Sequence, residues 1–259
     1  MASGNIMRVL FIGDSITRGV VGASFFKLLK KQFPSYSLKN LGVDGDTFSN
    51  ITKRLFDEIA ADPNYDCVVI QGGYNDLFLP YFFKKGRLFQ FALSQQLKKG
   101  LKPITEAQDF ERHLRETVIN LKKVFAGKII LATMGCINEY QSFELNSKRS
   151  IFNTIIKSIA HKENVALADC GSHFDSELGH LPQRNYFLES FWAITLTDRA
   201  ISQIKKGPGF LSNLRKLNLT TDGAHLNSKG AKIFADCIAE AIRQPQKKIS
   251  PMAAAQLRD

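Results

Sequence analysis

Val9, Leu10, Phe11 and Ile12 form an unbroken apolar run that stops at Gly13 and gives way to the small polar residues Asp14, Ser15 and Thr17. A run of this length without polar alternation is the pattern of a strand covered on both faces, as in a parallel sheet. Further strands are read at 36–41, 66–71, 128–133 and 165–169. Between them the apolar spacing becomes helical. Phe25, Phe26, Leu28 and Leu29 follow the first strand, in a helix read as starting near Ser15 and carrying several early glycines. Ile51, Leu55 and Ile59 follow the second, and Phe110, Leu114, Val118 and Leu121 follow the third, with Thr105 as the predicted cap. Residues 146–162 form another helix, and Phe234, Ile238 and Ile242 share one face of a closing helix over about 228–242.

Strands alternating with helices imply right-handed crossovers and helices on both sides of a sheet. The predicted fold class is therefore α/β: a three-layer α/β/α sandwich around a mainly parallel, five-stranded sheet. No repeat or linker divides the chain, so residues 1–243 are read as one domain. Two stretches interrupt the alternation. One is a basic, aromatic insertion at about 78–103; the other, at about 174–218, is irregular except for a short helix near 197–204. Residues 244–259 read as a flexible tail.

Ligands of such sheets bind at the carboxyl ends of the strands. Ser15, Gly45 and Asn75 follow the first three strands and so fall on one edge. Ser15 stands where a strand ends and a helix begins, and unpaired N–H groups and the helix dipole there favour developing negative charge. That suits a nucleophile, yet Asp14 and Ser15 are also ordinary N-cap residues, and this stretch alone leaves both readings open. Near the other end, Leu219 to Asn227 precedes the last helix. The spacing of Asp222 and His225 lets the carboxylate reach one imidazole nitrogen while the other faces outward. Asp222 would then fix the tautomer, and His225 would take the proton of Ser15. A loop of this composition equally serves as a cap.

Four blocks occur in order: Gly13-Asp-Ser-Ile-Thr17, the Gly45 loop, Gly73-Tyr-Asn-Asp76 and Asp222-Gly-Ala-His225. Together they resemble the SGNH hydrolases, also called the GDSL esterase family, over nearly the whole chain. The resemblance implies a flavodoxin-like sheet and a serine ester hydrolase. Ser15 would be the nucleophile, His225 the general base and then acid, and Asp222 its orienting partner. The backbone N–H groups of Ser15 and Gly45 and the side chain of Asn75 would hold the oxyanion, where one such donor is worth roughly 3 kcal/mol. The competing readings are a turn glycine for Gly45 and a loop-fixing hydrogen bond for Asn75. The Gly-x-Ser-x-Gly elbow of α/β-hydrolases is absent, since Ile16 and Thr17 follow Ser15. Asp44 and Tyr74, beside Gly45 and Asn75, are expected to contact substrate, as are Phe78 and Tyr81. His173, near Asp169 and Cys170, is a rival base without a matching block.

The expected reaction is hydrolysis of an acyl or acetyl ester through an acyl-enzyme, with lipids or lysophospholipids among the substrates. A carbohydrate O-deacetylase of the same family is the alternative, and a noncatalytic ligand-binding module is a more distant one.

Charge adds a further element. The chain carries a formal +11, and between Asp76 and Glu106 there is no acidic residue while Lys84, Lys85, Arg87, Lys98, Lys99 and Lys102 fall in the gap. The same stretch holds Phe78, Tyr81, Phe82, Phe83, Phe89 and Phe91. Residues 79–102 are read either as a lid contacting an anionic substrate or a membrane surface, or as an amphipathic cap whose aromatics pack on the body. No recognised nucleic-acid motif accompanies the charge. Cys67, Cys136, Cys170 and Cys237 are dispersed and read as reduced thiols, and no zinc-ligand spacing appears, so neither metal nor cofactor is expected. The N-terminus lacks a secretory pattern; the chain reads as cytoplasmic, with a trimmed leader as the alternative.

Overall fold

In the computed structural model, residues 6–85, 90, 100–187, 193–204 and 206–245 are described. Five parallel strands, β1 (Arg8–Gly13), β2 (Ser37–Gly42), β3 (Cys67–Gln71), β4 (Lys128–Ala132) and β5 (Ala166–Ala168), form one sheet in the order β2-β1-β3-β4-β5. The central strands are the apolar runs, and β1, β3 and β4 are buried along almost their whole length. At the edge, β2 is only half-buried and reads accordingly as a mixed sequence.

The helices are α1 (Ser15–Arg18), α2 (Phe25–Gln32), α3 (Phe48–Ala61), α4 (Tyr74–Phe83), α5 (Ala107–Val124), α6 (Glu144–Lys162), α7 (Cys170–Gly179), α8 (Arg199–Ser202), α9 (Gly207–Arg215) and α10 (Ser228–Arg243). On one face α10 packs against α2 and α7, with Phe25 stacked on Phe234 at 5.7 Å. On the other, α5 packs against α3 and α6, and Phe110 stacks on Phe152 at 4.1 Å and meets Phe48 at 5.0 Å. With this strand order the chain switches direction at β1, which opens a crevice beyond the carboxyl ends of β1 and β3.

Several elements differ from the sequence reading. The helix expected to run from Ser15 to Leu29 is two helices. Gly19, in the left-handed region, closes α1 after one turn, its N–H bonded to Ser15 O at 2.9 Å, and Ser24 caps α2. Gly22 has φ +75°, and a Cβ there would lie 2.3 Å from Leu226 O. Beside it, Ala23 N donates to Leu226 O at 2.6 Å. Glycines that merely weaken a helical pattern in sequence thus end one helix, at Gly19, and let the chain approach the loop before α10 closely, at Gly22.

Glu106, not Thr105, holds the N-cap position of α5. The stretch read as irregular is helical over α7, α8 and α9, with a π-helix at Ala193–Asp198 leading into α8. The expected insertion begins inside α4, where Phe78, Tyr81 and Phe82 pack on the body. Phe82 stacks on Phe187 at 5.7 Å, and Tyr81 meets Phe143 at 5.8 Å. Residues 86–89 and 91–99, to which both the lid and the amphipathic-cap readings extend, lie outside the described residues. Cys67, Cys136 and Cys170 are buried and Cys237 half-buried, all as free thiols. Among the described residues there is no metal-holding cluster, and no helix is long and apolar enough to cross a membrane.

Candidate active site

The turn after β1 assigns separate tasks to its two polar residues. Asp14 is the N-cap of α1, accepting from Ile16 N at 2.9 Å. Ser15 is therefore released from capping, and its Oγ lies 3.0 Å from His225 Nε2. Asp14 is fully buried; its second oxygen accepts from Gln71 Nε2 at 3.2 Å, and Gln71 Oε1 in turn accepts from Thr17 Oγ1 at 2.7 Å. Burial pushes the Asp14 carboxyl up to about 7 against the pull of the Ile16 and Gln71 hydrogen bonds. Gln71, the polar end of an otherwise apolar run, was not singled out from sequence; a polar side chain where a buried strand ends is the signal that marks it.

Asp222 and His225 come together in the loop before α10. Asp222 Oδ2 lies 2.6 Å from His225 Nδ1, while Oδ1 accepts from Ala224 N at 2.9 Å and His225 N at 2.8 Å. The carboxylate thus bonds a turn and an imidazole at once. An ionised carboxylate only accepts, which puts the proton on Nδ1 and leaves Nε2 free to accept from Ser15. Burial opposes the Asp222 charge, but the His225 charge and the hydrogen bonds outweigh it and hold its carboxyl below the ordinary value. At His225 burial disfavours the cation; the charge and hydrogen bond of Asp222, with smaller help from Asp14 and Asp44, outweigh this and raise its pKa. The loop is gripped from outside by Arg215, which donates to Thr221 O at 2.6 Å and pairs in a fork with buried Asp198 at 2.5 and 2.7 Å. Arg215 also went unmarked in sequence, since nothing local distinguishes it from other basic residues.

Gly45 and Asn75 stand on the facing loops. Gly45 has φ +75°, with open space where a Cβ would lie. Asn75, at the start of α4, is buried and donates from Nδ2 to Asp46 O at 2.8 Å. One amide hydrogen therefore fixes the side chain against the Gly45 loop. Asp76 secures the same region, accepting from Phe48 N at 2.9 Å and Ile104 N at 2.7 Å, and burial raises its carboxyl to about 7 against those bonds. Arg54 braces the loop from below through Asp46, at 2.8 Å from Nε, and through Leu41 O and Gly13 O.

Of the residues expected to touch substrate, Tyr74 requires correction. Its side chain is only 2 % exposed and lies in the core, because α4 begins at this residue and turns the ring inward. Its hydroxyl has no hydrogen-bond partner among the described residues. Phe78 sits within 5.9 Å of the Tyr74 ring and 5.3 Å of Phe187, and Tyr81 is buried in the same aromatic cluster. Asp44 is at the surface beside Gly45, paired with Arg18 at 2.7 Å and 3.9 Å from Arg199. His173 is exposed on α7.

Residues 11–189 match the model of the GDSL-like Lipase/Acylhydrolase family. The chain belongs to this family. Membership makes it a carboxylic ester hydrolase acting on small-molecule esters. Among solved structures it is similar to an acetylxylan esterase from Geobacillus stearothermophilus, with 21% identity and a TM-score of 0.61 over 96% of this chain and 100% of the other. It is also similar to an alpha/beta hydrolase enzyme from the metagenome of Lake Arreo, Spain, with 19% identity and a TM-score of 0.60 over 93% and 96% of the two chains. At these identities the likeness is one of fold. No curated protein matches the chain by sequence.

Proposed function

We propose that Ser15, His225 and Asp222 carry out ester hydrolysis through an acyl-enzyme. The observation that carries this reading is the continuous relay from Ser15 Oγ through His225 to Asp222, at 3.0 and 2.6 Å. Neutral His225 takes the Ser15 proton as Oγ attacks the ester carbonyl. The imidazolium then gives that proton to the departing alkoxide, and the alcohol leaves. Water, deprotonated by the same Nε2, attacks the acyl-enzyme; carboxylate is released and Ser15 is restored. The negative charge that develops on the carbonyl oxygen in both halves falls to the Ser15 and Gly45 N–H groups and the free hydrogen of Asn75.

Asn75→Ala is expected to lower kcat by roughly 10²- to 10³-fold with a small change in KM, because the donor acts on charge that develops only in the transition state. Steady-state kinetics on a short acyl ester checks it. The pH dependence follows from the base. His225 must be neutral to act, so kcat/KM should rise with pH and level off above its pKa; since that pKa is raised, the midpoint should lie above 6.5, the ordinary histidine value. A pH–rate profile with its midpoint below 6.5 would contradict the assignment.

For the substrate we favour simple acyl or acetyl esters, lipid and lysophospholipid esters included; the apolar cluster of Phe78, Phe82, Phe143 and Phe187, in which Phe187 lies against Gly223 beside Asp222, supports an apolar acyl group. Carbohydrate O-deacetylation is the second reading, supported by the acetylxylan esterase that shares the fold. Rates on one panel of acetyl, long-chain acyl, lysophospholipid and acetylated-sugar esters separate the two. A preference for acetylated sugars over simple esters would replace the first reading with the second.

A further inference from the structure

Glu139 is a fully buried carboxylate in the segment after β4, far in sequence from every block discussed above. Its Oε2 accepts from Asn218 N at 2.6 Å, and its Oε1 accepts from Leu219 N at 2.7 Å, Thr220 N at 2.8 Å and Thr220 Oγ1 at 2.8 Å. One side chain thus receives three consecutive backbone N–H groups that end two residues before Asp222. Its neighbour Asn138, held at φ +67°, donates from its backbone N to Gly223 O at 2.6 Å, immediately after Asp222. Residues 138 and 139 therefore grip the chain on both sides of the triad carboxylate.

The grip is itself anchored. Asn146 on α6 accepts from Ile137 N at 2.9 Å and donates to Asn138 O and Tyr140 O at 3.0 Å each. The path runs from a long helix through one short segment to the loop that carries Asp222 and His225. Charge-assisted hydrogen bonds are stronger than neutral ones, and a carboxylate buried without its donors is costly, so four donors on one buried carboxylate strongly favour a single loop geometry.

We propose that Glu139 is a positioning residue for catalysis: it holds the Asn218–Thr220 backbone so that Asp222 stays at hydrogen-bond distance from His225 Nδ1 and Nε2 stays on Ser15. The inference rests on the reading of Ser15, His225 and Asp222 as the catalytic set. A carboxylate that served only to stabilise the fold would change how much protein is folded, whereas a positioning residue changes how fast each folded site turns over.

The test compares wild type with Glu139→Gln, whose amide oxygen can keep part of the contacts. Active sites are counted by titration with a fluorophosphonate, and kcat is expressed per titrated site. Glu139→Gln is expected to lose roughly 10- to 100-fold in that quantity, the scale of a displacement of about 1 Å at a catalytic group, with KM little changed. The downfield proton resonance of His225 Nδ1–H should move or broaden in the same variant. Thr220→Val, which removes only the hydroxyl contact to Oε1, should move both readouts in the same direction by less, and it serves if Glu139→Gln does not fold. A wild-type kcat per site with an unchanged resonance overturns the proposal. So does a loss of activity that follows the number of titratable sites alone. If wild type itself neither reacts with the fluorophosphonate nor cleaves esters, the catalytic reading fails instead.

Discussion

Ser15→Ala is expected to reduce kcat on any ester substrate by roughly 10⁴- to 10⁶-fold while leaving the protein folded. The size follows from chemistry, because alanine leaves no atom to form the acyl-enzyme and only the oxyanion donors and binding remain. The integrity of the fold follows from the division of labour at the turn. Asp14, not Ser15, caps α1, and the described Ser15 hydroxyl contact is to His225 Nε2. KM should therefore change little, thermal unfolding should match wild type, and fluorophosphonate labelling should vanish. Labelling that persists in the folded variant would place the nucleophile elsewhere.

Asp222→Asn is expected to cost about 10⁴-fold in kcat, the scale seen when the acid of such a triad becomes an amide. The cause is the tautomer. An asparagine whose oxygen keeps the Ala224 and His225 N–H bonds presents its NH2 to His225 Nδ1, which must then accept. The ring proton moves to Nε2, the atom that has to receive the Ser15 proton, and the base is blocked. The residual rate should climb with hydroxide and lose the His225 inflection, which a pH–rate profile detects. Because the turn bonds persist in Asp222→Asn, its melting temperature should stay near wild type. Asp222→Ala removes those bonds too and should lower both activity and stability.

The parts of the molecule that could be read from the chain are those in which one physical pattern dominates. The apolar runs of β1, β3 and β4 are buried on both faces and announce themselves, and Ser15, Asp222 and His225 lie in short blocks whose order survives folding. Patterns with two meanings were harder. Gly19 and Gly22 look like weak points in a helix; only the structure shows that Gly19 ends α1 and that Gly22 lies against Leu226 in the loop before α10. In α7 the sequence Cys-Gly-Ser-His-Phe-Asp-Ser-Glu-Leu-Gly carries few apolar positions and two glycines, so its helix depends on packing against α10. Adjacency to Asn75 says nothing of the direction of Tyr74: successive residues on a helix point about 100° apart, and the ring enters the core. Glu139 and Arg215 act across large sequence separations, and no local spacing marks such partners.

Ser15, the proposed nucleophile, and His225, its proposed base, are 210 positions apart, at the start of the first helix and in the loop before the last. A chain that ends at Leu219 contains Ser15 but lacks His225, the base proposed for it. If these residues act together as proposed, hydrolysis requires that the loop before α10 be docked, with α10 against α2 and Leu226 O on Ala23 N. On that reading the protein can be divided: of two fragments separated between these positions, neither carries both Ser15 and His225, and hydrolysis would measure their reassembly.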